Sequence, residues 1–381
     1  MIVVLLASSL LSGSAACAWL DRGEPWVSAG PLPVNWLAGW QHETAGGLRQ
    51  ALLAQCDSPQ RLTARWTGLC RELANLPPAD TGAAAADPPV RAWVESRFDA
   101  WVLTSPNGGS TGLLTGYYEP VVRGSRIRLN DRQVPLYAPP SGWSGERFAD
   151  RAAIVAGHQE TLLAGRELLW IDDPIDAFFL QIQGSGRVIL PDGQVVRVGF
   201  AAHNGHDYVA IGKVLVERGA IHRRDLSAQT IRRWLQDHPD QAQTVMNLNP
   251  RYVFFRLMDG DAVNQGPIGS LGVPLTPHRS VAADRRYLPP GALVYLHSRP
   301  ALAASAPDGQ AGRATPFGLA LNQDSGGAIR GAVRADLYTG TGEAAGELAG
   351  QLRERLQMWL LWPKGAMPPG KIPFARPDGD D

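Results

Sequence analysis

The densest cluster of residues able to do chemistry is NQDSGGAIRGAVRADLY, residues 322 to 338. A strand ending at Asn322 delivers Asp324 to a turn of Ser325, Gly326 and Gly327, where small residues let a ligand or another backbone approach closely. The next strand, by alternation, places Arg334, Asp336 and Tyr338 on one face, so a second carboxylate follows the first by 12 residues. Two carboxylates beside one groove suit glycoside chemistry, which needs one acid for the leaving oxygen and a second group as nucleophile or to activate water. The same residues also read as an ordinary Asp turn followed by an Asp336–Arg334 ion pair, and the motif alone leaves both readings open.

Other chemistries find less support. Gly340, Gly342 and Ala345 fit the glycine pattern of a dinucleotide-binding turn, but residues 355 to 377 contain no Asp or Glu for the ribose. His203 and His206 have HxxH spacing, yet Asn204 and Gly205 break helical periodicity and no third ligand stands out, so no metal site is expected. The chain has no GxSxG and no clear histidine partner for a serine or cysteine nucleophile.

The elements that must hold the cluster read mainly as β structure with flanking helices. LLTGYYEP is a short strand ending at Pro120, and AFFLQIQ alternates Phe178, Leu180 and Ile182 against Phe179, Gln181 and Gln183, predicting a strand. RVIL, the turn Pro191, Asp192 and Gly193, and QVVRVGF predict a hairpin. Helices are expected over Tyr208 to Arg218, stopped by Gly219, and over Ala228 to Asp237, with Ser227 as N-cap and Pro239 as terminator. YVFFR, LGVPLTP, ALVYLHS and FGLALNQ then form a series of short apolar strands resembling a small barrel. Leu348, Leu352, Leu356 and Trp359 mark the stripe of a last amphipathic helix ending before Pro363. Residues 19 to 100 carry helical periodicity at Leu48, Leu52 and Leu53 and at Trp93 and Phe98, with a loop from Pro77 to Pro89.

Composition bounds the rest. At 381 residues the chain accommodates two domains, or one with an insertion. With 42 Gly and 30 Pro, turn-rich β structure is favoured over a helical bundle. Lys plus Arg equals Asp plus Glu at 36 each, so no basic excess exists to neutralise phosphates and nucleic acid is not an expected partner. The 12 Trp outnumber the 9 Phe, and indole faces suit either stacking on sugar rings or ordinary core packing.

Residues 1 to 16 are an apolar run followed by small residues, too short for a mature span, and read as an export signal, although no Lys or Arg precedes residue 22. Cys17 follows Ser14, Ala15 and Ala16, a placement resembling a bacterial lipidation site. Cleavage near Ala18 would instead discard it. Cys56 and Cys70 are then an even pair in an exported chain, a candidate disulfide closing a short loop.

Taken together, LLTGYYEP (113 to 120), DDPIDAFFLQIQGSGRV (172 to 188), NPRYVFFR (249 to 256), GPIGSLGVPLTPHRS (266 to 280) and QDSGGAIRGAVRADLYTGTGEAAG (323 to 346) resemble the membrane-bound lytic murein transglycosylase A family. The resemblance implies a double-psi β-barrel domain, with a second β-rich domain inserted in it and a substrate groove between them. The barrel is expected over 19 to 115 and 250 to 365, the insert over 116 to 249, a signal segment over 1 to 18 and a loose tail over 366 to 381. It further implies cleavage of the β-1,4 bond between N-acetylmuramic acid and N-acetylglucosamine in peptidoglycan, leaving a 1,6-anhydro ring, without cofactor or metal. By motif position the catalytic Asp falls on Asp324, and supporting residues on Asp336, Arg334 and Asp284. Tyr117, Tyr118, Glu119, Gln183, Ser185 and Arg187, with Ser325 and Gly326, would line the glycan groove. A periplasmic location, tethered to the outer membrane if Cys17 is lipidated, follows. The rivals are a muramidase that uses Asp324 with Asp336 through water, and a non-catalytic glycan-binding lipoprotein.

Overall fold

The computed structural model describes residues 30–58, 64–79, 86–258, 265–300 and 318–369. The leader, Cys17 and nearly all of the expected tail lie outside them. The chain starts one sheet with β1 (Leu32–Pro33), β2 (Phe98–Val102) and β3 (Gly112–Glu119). It then leaves to build a second from β4 (Val121–Ser125), β5 (Val134–Tyr137), β6 (Glu167–Ile171), β7 (Ser185–Ile189), β8 (Val195–His203) and β9 (Val253–Met258). It returns to the first with β10 (Ser280–Ala283), β11 (Leu293–Pro300), β12 (Gly318–Asp324), β13 (Arg334–Thr341) and β14 (Arg353–Pro363).

The first sheet runs β1-β2-β14-β11-β12-β10-β13-β3 and closes because β14 also pairs with β3. Arg353 to Leu356 of β14 lie against β3, and Trp359 to Pro363 lie against β2. Closure removes the open edges that a flat sheet would present. Within it, β10 runs parallel to β12 and β13 parallel to β3, and β10 lies between the cluster's two strands, with Ala282 paired to Asp324 on one side and to Asp336 on the other. The second sheet, β5-β6-β4-β7-β8-β9, is the inserted β-rich unit. Each sheet has its own core: Leu114, Val294, Leu337 and Met358 fill the barrel, while Leu169, Leu180, Val188 and Phe255 fill the insert.

The described helices are mostly amphipathic covers. Leu48–Cys56 and Pro88–Arg97 pack Leu52, Val90 and Val94 onto the barrel's outer face. The disulfide between Cys56 and Cys70 ties the first of these to the helix Ala64–Ala74. In the insert, Ile211–Glu217 and Ala228–Asp237 occupy the expected positions, and Ser227 and Thr230 form a reciprocal capping box. Pro239 ends that helix but also begins another, Pro239–Asn247, since proline is preorganised for a first helical turn.

Three expected elements are different. Residues 174 to 183 form a helix, Pro174–Gln183, not a strand. Asp173 accepts a hydrogen bond from the Ile175 amide at 2.7 Å, a cap that contributes about 1 kcal/mol, and Gly184 terminates the helix at φ 79°. Its apolar residues look continuous because it is buried on two sides, with Ala177 and Leu180 against the insert sheet and Phe178 and Phe179 against the helices above. The expected C-terminal helix stops at Gln351, and beyond Leu352 the chain continues as β14, whose two faces are buried in separate cores, Trp359 and Leu361 in one and Leu356, Met358 and Leu360 in the other. Residues 271 to 277 are a loop rather than a strand, folded so that Leu271, Val273 and Leu275 are buried and Gly269 accepts a close approach from the Gln323 carbonyl.

Candidate functional site

A groove of about 890 Å³ lies between the barrel and the insert. On its floor is the C-terminal end of β12, whose other residues are buried in the barrel. Gln323 at the penultimate position donates to the Ala51 carbonyl at 2.8 Å and accepts from Ser280 at 2.6 Å, anchoring the strand from both sides. Asp324 is thus carried on a rigid strand end rather than on a free loop.

The two Asp324 oxygens have different environments. Oδ1 accepts the backbone amides of Ser270 at 2.9 Å and Ser325 at 2.8 Å, whereas Oδ2 accepts the Tyr117 hydroxyl at 2.8 Å. Burial pushes the carboxyl above the usual range, and the amide donors oppose this without overcoming it. Oδ1, held by two N–H donors, suits the carbonyl role, which leaves Oδ2 as the atom to hold a proton. Tyr117 comes from β3, and its own pKa is driven well up by burial and the Asp324 charge, so it remains a hydroxyl donor.

Asp336, on β13, also lines the groove. It accepts a hydrogen bond from the Thr115 hydroxyl, and Thr115 in turn accepts from Arg334 Nη2 at 2.8 Å. The parallel register places Thr115 beside Asp336 and Tyr117 beside Tyr338, so β3 supplies a partner to each carboxylate from residues two apart on one face. Burial raises the Asp336 carboxyl, with Thr115 and Arg334 working against it and Asp324 adding to it. Asp284, after β10, belongs to the frame: it is buried, pairs with Arg286 at 2.6 Å and accepts the Gly331 amide at 2.9 Å. The Arg286 hydrogen bond is the main reason its carboxyl is held at about 2.

Gln183, Ser185, Ser325 and Gly326 line the groove. Gln183 also accepts the Tyr118 amide at 3.2 Å, fixing the helix end to β3. Tyr118, Glu119 and Arg187 do not line it. Strand alternation turns Tyr118 away from Tyr117, and its ring packs on Gly346 of the helix Glu343–Gln351. Glu119 is fully buried where the chain crosses from barrel to insert. It receives Arg187 Nε at 2.9 Å, Arg197 Nε at 3.0 Å and the Thr341 hydroxyl at 2.9 Å. Its place among three donors leaves no contact for a glycan. Arg187 is spent on this carboxylate and on the Gln265 carbonyl.

Several groove residues were not among the candidates, although Asn249 and Arg251 stand in the NPRYVFFR segment. Arg151, Tyr208, Asn249 and Arg251 converge on the groove from the insert, and Phe200 presents an exposed ring there, while no Trp is among the described lining residues. Trp40, Trp93, Trp101 and Trp359 are core. His203 lies on the groove wall and accepts the Gly205 amide, whereas His206 contacts Arg147 and the Phe148 carbonyl. The glycine pattern at Gly340 and Gly342 leads into a short helix whose following strand, β14, runs antiparallel to β3, so no parallel crossover for a dinucleotide is formed.

Comparison with known proteins agrees with this architecture. Residues 113–256 match the model of the MltA specific insert domain, and residues 279–362 match that of the 3D domain. A membrane-bound lytic murein transglycosylase A of Escherichia coli (strain K12) is 33% identical over 266 residues, 69% of this chain and 69% of the relative. Among solved structures, the lytic transglycosylase LtgG of Burkholderia pseudomallei is similar at 37% identity and a TM-score of 0.60, covering 89% of this chain and 97% of that one. The E. coli MltA crystal structure with bound chitohexaose is similar at 28% identity and a TM-score of 0.67, covering 90% and 93%. By its sequence relatives and its closed barrel with an inserted sheet, the chain belongs to the membrane-bound lytic murein transglycosylase A family.

Proposed function

We propose that the protein is a peptidoglycan lytic transglycosylase, cleaving the β-1,4 bond between N-acetylmuramic acid and N-acetylglucosamine with Asp324 as its single acid and base. The observation that carries this reading is the state of Asp324: a carboxyl raised by burial, fixed by two amides and one hydroxyl, lining an interdomain groove. A protonated Asp324 gives its proton to the leaving glycosidic oxygen as the bond to the muramic acid C1 breaks. The resulting carboxylate then takes the proton of that sugar's C6 hydroxyl as its oxygen bonds to C1, closing the anhydro ring and restoring the acid. No water is consumed. Because the nucleophile is tethered to the reacting carbon, intramolecular attack recovers several kcal/mol of entropic barrier without a second carboxylate as nucleophile. Asp336 and Arg334 would then organise the groove floor and help stabilise the oxocarbenium-like state.

This reading takes the barrel domain as ending at β3 (Gly112–Glu119) and resuming at β10 (Ser280–Ala283), and the insert as running from β4 to β9 (Val253–Met258), with the glycan lying between the two. The expected boundaries of 115/116 and 249/250 move accordingly, because β9 pairs with β8. It also places the protein in the periplasm, with an outer-membrane tether if Cys17 carries lipid. Among the described residues no helix is long and apolar enough to cross a membrane. The MltA of E. coli has been crystallised with chitohexaose, a glycan of the same β-1,4 backbone, which supports glycan strands as the ligand here.

The test is mass spectrometry of sacculi digested by the wild-type protein beside Asp324→Ala. Muropeptides lighter by one water than hydrolysis products, absent with the variant, support the proposal. Reducing-end products would replace it with a muramidase mechanism that uses Asp336, whose carboxylate lines the same groove. Binding without products would make the protein a glycan-holding lipoprotein.

A further inference from the structure

Of the eight arginines lining the groove, Arg197 and Arg286 form ion pairs among the described residues, and Arg251 and Arg330 are two of the six that do not. Arg251 stands just before β9 in the insert, and Arg330 stands between β12 and β13 in the barrel; both line the groove. None of the ion pairs among the described residues includes either one. By contrast Arg187, Arg197, Arg279 and Arg286 each hold a carboxylate.

Arg251 is held in place. Its carbonyl accepts Arg151 Nη2 at 2.7 Å and its amide donates to Asn249 Oδ1 at 3.3 Å, while Arg151 is buried over the rings of Phe178 and Tyr252. Its guanidinium crosses the groove to lie on Gly327, where a Cβ would overlap Nη1. Its Nε is buried and has no hydrogen-bond partner. Arg330, exposed and three residues beyond Gly327, bears on it as a like charge, and Asp207 acts on it electrostatically from beyond ion-pair range. Two like charges that bear on each other across one groove repel, and an anion binding to both gains from each.

We propose that Arg251 and Arg330 form a carboxylate-binding subsite for the acidic side arm of murein, so that the groove selects anionic strands over neutral glycans of the same backbone. This rests on the glycan-cleaving reading above. Murein differs from chitin by a lactyl ether on alternate sugars, which ends either in its own carboxylate or in a peptide bearing carboxylates. Gly327 and Arg330 follow Asp324 by three and six residues in one loop and line the same groove, so a carboxylate held there belongs to a strand bound in that groove.

Equilibrium binding decides it, measured on the full chain carrying Asp324→Asn so that turnover does not intervene. The probes are chitohexaose, peptide-free murein strands and peptide-bearing murein strands, each at low and high salt. Adding Arg330→Gln or Arg251→Gln is expected to weaken murein binding about tenfold and to leave chitohexaose within about twofold, with Arg330→Lys restoring most of the loss. Added salt weakens murein binding and spares chitohexaose. A loss confined to peptide-bearing strands assigns the carboxylate to the peptide, and a loss on peptide-free strands assigns it to the lactyl group. Equal weakening of all three probes, or no change in any, overturns the proposal. Selective binding by a wild-type protein that forms no anhydro products would remove the chemistry and keep the subsite, whereas anhydro products without selectivity would do the reverse.

Discussion

The Tyr117 hydroxyl donates a 2.8 Å hydrogen bond to Oδ2 of Asp324, the oxygen left free of backbone donors, from a strand 207 residues earlier in the chain. The bond favours the ionised carboxylate and so restrains the rise that burial imposes. Tyr117→Phe removes that restraint. The Asp324 pKa moves further up, so the alkaline limb of the pH–rate profile, which reports loss of the acid, shifts to higher pH. The maximal rate falls about tenfold because the carboxyl loses its orienting partner. Anhydro-product formation followed across pH checks both; an unmoved limb would detach Tyr117 from the proton.

Glu119→Gln tests the crossover between the sheets. Replacing this fully buried carboxylate leaves Arg197, whose side chain is only 2% exposed, without its counter-charge. Removing one partner of such a group costs about 3–5 kcal/mol, far more than loss of an exposed pair. Chemical denaturation of wild type and variant gives the difference, and a change below about 1 kcal/mol would show that water or a neighbour compensates.

Asp284 links stability to acid. Its folded value of about 2 lies below the unfolded carboxylate value of about 3.9, so its contribution is present above that unfolded value and is lost as pH falls through the folded one. Because Arg286 is well exposed, the contribution is about 1–2 kcal/mol after screening. Asp284→Asn therefore destabilises the protein at neutral pH, and the gap to wild type closes between about pH 4 and pH 2. Thermal melts across that range measure it. A gap independent of pH would mean that packing, not charge, is at stake.

Cys56 and Cys70 close a loop with a sequence separation of 14, which in the chain-entropy model stabilises by about 3 kcal/mol. Cys56→Ser with Cys70→Ser is expected to lower the melting temperature, and reductant to lower that of wild type alone. Since helix Leu48–Cys56 receives the Gln323 amide at the Ala51 carbonyl, the substituted protein also loses activity near its melting temperature before the insert unfolds.

Alternation, turns and caps determined much of this protein locally. The strands around YYE, YVFFR, ALVYLHS and FGLALNQ, the Pro191–Gly193 hairpin, the Ser227 N-cap and the carboxylates at 324 and 336 follow from residue type and short-range spacing. These features depend on neighbours within a few positions, where periodicity has meaning. Burial on two sides erased the signal elsewhere: AFFLQIQ forms a helix packed between a sheet and other helices, and β14 imitates a helical stripe because Trp359 and Leu361 enter one apolar core while Leu356, Met358 and Leu360 enter another. Only the tertiary structure decided that Tyr117 meets Asp324, that Glu119 braces the crossover instead of touching the groove, and that Arg251 reaches over Gly327. Each of these contacts joins residues separated by dozens to hundreds of positions. Barrel closure through β14 and β3 sets their geometry, and no local pattern of side chains encodes a distance across that closure.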